Sequence, residues 1–146
     1  MSGFRFSLEK ALGLRRLQLQ LAETTFRQQA AALLELDRRR EELRASQAAA
    51  ETQVRAGGSA QGYDLAALGS FRLHVRAKDK DLARRYAEGE KKLEECRVAM
   101  LEARRRCRLM EKLKERRSSE WEAARSREIE DMAAESFLAQ WNRGKS

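Results

Sequence analysis

Positions taken every 3.5 residues from Leu8 to Val54 are apolar at ten of fourteen places, the exceptions being Arg15, Gln29, Arg40 and Gln47. A seam held at that period across successive heptads argues a coiled-coil strand, because a helix resting on a globular core drifts toward 3.6. A second seam runs from Leu82 through Tyr86, Gly89, Leu93, Cys96, Met100, Ala103 and Cys107 to Met110, each member apolar or Gly. It continues less regularly through Lys114 and Arg117 to Trp121 and Ala124, then changes phase to Ile129, Met132 or Ala133, and Phe137. Such a change alters supercoiling locally or marks where a partner helix stops.

Between the seams, "RAGGSAQGYD" places Gly57, Gly58 and Gly62 within six positions, in a chain with eight glycines and no proline. Glycine supplies turn dihedrals and destabilises a helix interior, so the stretch reads as the connection of two helices. A short link favours antiparallel neighbours. The fold expected is therefore all-α: a long antiparallel two-helix coiled-coil hairpin with an overhanging C-terminal helix, in a single domain over 1–146. Helix 1 covers about 7–55, the glycine-rich link 56–63, and helix 2 about 64–141, with a second break available at Gly69 and Ser70. Ser7 is placed to cap the first helix, Glu9 suits its positive end, and Gly57 can supply a left-handed stop. Asp64 can cap the second helix, with Tyr63 and Leu68 as a hydrophobic staple. The other reading of the link is a flexible spacer between strands that each pair with another copy.

The arms are unequal: 47 residues from Leu8 to Val54 against 78 from Asp64 to Trp141. Closing the hairpin at the glycines leaves roughly 45 Å of helix 2 unpartnered, or about 33 Å if the first nine residues fold over the tip. That overhang carries Trp121, Ile129, Met132, Phe137, Leu138 and Trp141. Each is worth about 1.5 to 3 kcal/mol if buried, so a partner or an intramolecular contact is expected to cover them.

With 37% charged and 6% aromatic residues, the composition suits long helices and leaves little for a compact core. No run approaches the roughly 18 apolar residues of a membrane span, and "MSGFRFSLEKALGLRRL" lacks an uncharged signal-peptide core. A cytoplasmic location is expected. Cys96 and Cys107 lie 11 residues apart on one expected helix, roughly 16 Å along its axis, too far for a disulfide. Two Cys and the single His74 assemble no metal site. No phosphate loop and no nucleophile with a base is present, so no catalytic residue, metal or cofactor is expected. The net charge of +8 and the clusters "DRRREE", "EARRRCR" and "KLKERR" keep a basic coiled-coil nucleic-acid-binding protein as an alternative. Interleaved acids and the lack of an aromatic platform argue against nucleic acid and leave an acidic protein partner equally suitable.

The run "LMEKLKERRSSEWEAARSREIEDMAAESFLAQW" and the opening "FRFSLEKALGLRRL" resemble the end and start of the FliJ family of flagellar export proteins. "EKLKERR" followed by a Trp-bearing helix, and the F-x-F-x-L-E-K start, carry most of that resemblance. It implies a non-enzymatic, stalk-like component of the flagellar type III protein export apparatus, similar to the stalk of rotary ATPases. The partners so implied are the export ATPase hexamer, the cytoplasmic domain of the export gate, and export chaperones. Membrane association would come only through that apparatus, at the flagellar base on the inner membrane. Injectisome stalk homologues share the design. By resemblance, the positions that meet the gate are Phe71, Val75, Lys78 and Leu82; Lys78 departs from the small apolar residue expected, and the same face also fits the hairpin core. The ATPase is expected to contact Trp121, Ile129, Met132, Phe137, Leu138 and Trp141.

Overall fold

The computed structural model describes residues 3–57 and 62–145, apart from the side chain of Tyr63. They form two α-helices, α1 over Glu9–Ala56 and α2 over Gly62–Gly144. Among the described residues there is no strand. Contacts divide the chain into two compact units, one made from the stretches up to Leu19 and from Glu102 onward, the other from Gln20–Leu101. Within each unit an α1 segment packs on an α2 segment running the opposite way, as expected for the all-α fold class.

The helices form because no proline interrupts them and much of their surface is charge-paired. Glu35 pairs with Arg38 and Arg39, Asp81 with Arg84 and Arg85, and Glu102 with Arg105 and Arg106, all at three- or four-residue spacing. Each exposed pair contributes only a few tenths of a kcal/mol; the burial of a seam does more. From Leu12 to Val54 each 3.5-spaced position of α1 is buried or half-buried, while Leu8 is exposed. On α2, Leu82, Gly89 and Cys107 are buried and the seam residues between them half-buried.

In the Gln20–Leu101 unit, the polar seam positions Gln29 and Arg40 of α1 find partners on α2, while Gln47 bonds within α1 to a carboxylate that Arg72 of α2 also holds. Arg40 donates Nε–H to Asp79 Oδ1 at 2.9 Å and Nη2–H to Oδ2 at 3.4 Å, a two-pronged pair. Gln29 Nε2 donates to the Gly89 carbonyl at 3.3 Å. Gln47 and Arg72 both donate to Glu51 Oε1, at 3.4 and 2.8 Å. The helices approach closely at Gly89: a Cβ there would stand 2.5 Å from Leu33 Cδ2, so the leucine side chain would have to shift. A polar residue at a seam position selects register at some cost in stability.

In the unit containing both chain ends, Phe6, Leu12 and Cys107 form the core, with Phe4, Leu19, Met110 and Leu113 packed against it. Arg16 pairs with Glu111 at 3.5 Å and Lys114 with Glu9 at 2.9 Å. Both cysteines are free thiols.

Several local expectations need correction. α2 runs unbroken through Gly69 and Ser70, because Leu68 and Val75 are buried on either side and outweigh the roughly 1 kcal/mol that an interior glycine costs. α2 begins at Gly62, so Asp64 lies in its first turn, where its charge still faces the favourable dipole end. Gly57 does not adopt the positive φ of a left-handed stop. Ser7 precedes α1 by two residues and its hydroxyl accepts a hydrogen bond from Arg117 Nη1 at 3.0 Å. The Tyr63 staple and link positions 58–61 lie outside the described residues.

Candidate docking surface on the second helix

α1 begins at Glu9, but the chain before it continues along α2. Phe4 meets Trp121 with ring centroids 6.2 Å apart and planes at 52°, and the Arg117 guanidinium lies 5.7 Å from the Phe6 ring centroid. Intramolecular cover ends there. Every described residue from Ser126 to Lys145 is exposed, which leaves roughly 28 Å of bare helix to Gly144. This is nearer the shorter of the two lengths expected, since the aromatic start lies over the neighbouring turn of α2.

Six residues were expected to form the ATPase-facing surface, and the structure separates them. Trp121 is half-buried under Phe4, with the Arg125 guanidinium 5.3 Å from its ring centroid. Ile129, Met132, Phe137, Leu138 and Trp141 are each more than half exposed. Trp121, Arg125, Ile129, Ala133, Phe137 and Trp141 follow one another at intervals of four, so they form a ridge that turns only about 40° per step. Leu138 adjoins Trp141 at three-residue spacing. Met132 stands roughly 60° to the far side of Ile129 and about 180° from Trp141, which places it on the Trp121 side of the helix. The Lys145 ammonium lies 5.0 Å from the Trp141 ring centroid, a cation over an aromatic face open to solvent.

The stripe expected to meet the gate belongs to the other unit. Val75 and Leu82 are each only 5% exposed and line its seam; Phe71 is half-buried and Lys78 exposed. The stripe is thus divided between core and surface. An open groove beside it is walled by Arg44, Gln47, Arg72, Val75, Arg76 and Asp79.

The ionisable groups behave as a charged helical surface. Hydrogen bonds from Arg38 and Arg105 hold Glu35 and Glu102 down to about 2, and the bond from Arg40 lowers Asp79. The Cys107 thiol is pushed up, first by burial and then by the Glu111 carboxylate to which it donates at 3.7 Å. His74 is exposed. Among the described residues no group of His, Cys, Asp or Glu is placed to hold a metal ion, and no helix is long and apolar enough to cross a membrane.

Sequence reasoning allowed for the first nine residues folding over the tip but did not single out Phe4 and Phe6 as the packing residues, although their two-residue spacing was a usable signal. It also missed Asp79 as the partner of Arg40, because nothing in either helix alone pairs them. Comparison with protein-family models, curated proteins and solved structures gives no match to this chain.

Proposed function

We propose that the chain is a FliJ-like stalk protein of a flagellar type III export apparatus, acting through its C-terminal arm on the export ATPase ring. The observation that carries this reading is the bare arm from Ser126 to Lys145, with Ile129, Phe137, Leu138 and Trp141 open to solvent. Exposed apolar groups on one stretch of helix favour a protein partner, and aromatic anchors are what such partners bind most strongly. The four-residue ridge suits a helix crossing at a steep angle rather than the extension of a 3.5-residue seam. The arm thereby stimulates hydrolysis in its partner without itself binding nucleotide. An injectisome stalk uses the same arrangement.

A contact with the export gate, if made by the closed helix pair, rests on Phe71 and Lys78, because Val75 and Leu82 are occupied in the seam. Chaperone binding and location at the flagellar base belong to the same proposal. A nucleic-acid role is less favoured: arginines of two basic clusters are engaged by carboxylates of their own helix, Arg38 and Arg39 by Glu35, and Arg105 and Arg106 by Glu102.

Truncation after Arg125 removes the bare arm and retains the Phe4–Trp121 contact. The shortened chain is expected to keep its helical melting transition and lose stimulation of the export ATPase. Undiminished stimulation would refute the arm mechanism.

A further inference from the structure

The ridge that ends at Trp141 begins at Trp121, and that first position is already taken by the chain's own Phe4. The fit has a geometric basis. Phe4 and Phe6 lie in a segment outside both helices, and two residues of chain reach at most roughly 6.6 to 6.8 Å when extended. Arg117 and Trp121 are one four-residue step apart on α2, a rise of roughly 6 Å. The F-x-F repeat therefore matches the R-x-x-x-W repeat, with Phe6 under Arg117 and Phe4 on Trp121.

The two contacts are unequally anchored. Phe6 is a core residue, 7% exposed, its carbonyl accepting the Glu9 amide at 3.1 Å while the adjacent Ser7 takes Arg117. Phe4 is half-buried at the edge of that core. Phe6 is thus a hinge pin, and Phe4 a ring at the free side of it.

We propose that Phe4–Ser7 is a strap on the docking ridge: closed, Phe4 occupies the Trp121 position; opened, it yields that position to a partner helix. Closure leaves the ridge accessible from Ile129, and opening uncovers Trp121, roughly 12 Å further along α2 and about 80° round it from Ile129. The strap makes partner binding compete with an intramolecular aromatic contact, so it sets apparent affinity through the fraction of open chains. This regulatory role rests on the docking reading of the arm; the covering of Trp121 does not.

The test uses the full chain in two parts. In a Trp141→Phe background Trp121 is the remaining tryptophan, and acrylamide quenching of its fluorescence reports its cover in the free protein. Phe4→Ala is expected to raise the quenching constant about twofold while Phe4→Tyr retains the parent value; equal quenching for all three overturns the strap. With Trp141 intact, Phe4→Ala is expected to bind the export ATPase roughly 2- to 12-fold more tightly, the factor one aromatic pair is worth. Equal or weaker binding overturns the competition. An ATPase that binds neither chain overturns the stalk reading instead, and quenching then decides the strap by itself.

Discussion

α2 has two regions of similar chemistry and different fate. As far as Trp121 its seam faces α1 or the aromatic segment before it, whereas from Ser126 its large apolar groups are exposed. Both regions are strongly charged helix, so composition does not separate them. Period does: heptad spacing up to Met110 is followed by four-residue spacing from Trp121 to Trp141. A seam at 3.5 keeps one face toward a parallel-lying neighbour, while a four-residue ridge winds away from it and fits a crossing one. The partnered region stores folding energy, and the bare region leaves its large apolar groups open to solvent.

The sharpest way to break that contrast is to truncate one large side chain on each side of it. Leu12→Ala, at a fully buried position, is expected to cost about 2 to 5 kcal/mol of folding stability. Trp141→Ala is expected to change stability by less than about 0.5 kcal/mol while weakening ATPase binding about 30-fold, as loss of an aromatic anchor does. Paired urea melts and binding titrations would erase the distinction if Trp141→Ala also unfolded the chain.

A smaller effect is expected where the helices approach most closely. Gly89→Leu drives a side chain into the space held by Leu33 and is expected to cost about 1 to 3 kcal/mol. Wild-type stability for this variant in thermal melts would mean that Gly89 is not a contact point.

Smallest is the electrostatic share. Asp79→Ala removes the partner of a half-buried Arg40 and is expected to cost about 1 kcal/mol at neutral pH. Because Arg40 lowers the Asp79 pKa, that stabilisation is present above the unfolded value near ~4 and is lost as pH falls through the folded value. Glu35 and Glu102, held at about 2, act in the same direction over the window from ~4 down to ~2. Melting temperature should therefore drop on acidification, and the difference between wild type and Asp79→Ala should shrink with it. A constant difference down to pH ~2 would place the effect in packing rather than in the ion pair.

Much of the fold was legible because helix formation and seam period are local properties. Proline-free helical sequence and 3.5-residue spacing led to both helices and to the inward set of α1 positions, including polar Gln29, Arg40 and Gln47. The bare arm was legible as a surplus of helix 2 over helix 1. Its start was legible only as one of two alternatives, because Phe4 and Phe6 lie outside the heptad pattern and act by packing on α2. The continuity of α2 through Gly69 was hidden for a related reason: local propensity argues for a break, and burial of Leu68 and Val75 overrides it.

By itself, then, the amino-acid order determined that two long helices form, which face of each is apolar, and that one is longer than the other. Only the tertiary structure decided that Arg40 meets Asp79, that Leu33 closes on Gly89, and that Phe4 covers Trp121. The reason is the degeneracy of a heptad seam. Sliding one helix by seven residues along another leaves apolar groups facing apolar groups, so the pattern specifies a face without specifying partners. Partners are selected where a charge, a missing Cβ or an aromatic ring admits one opposite neighbour, and those matches exist only in three dimensions.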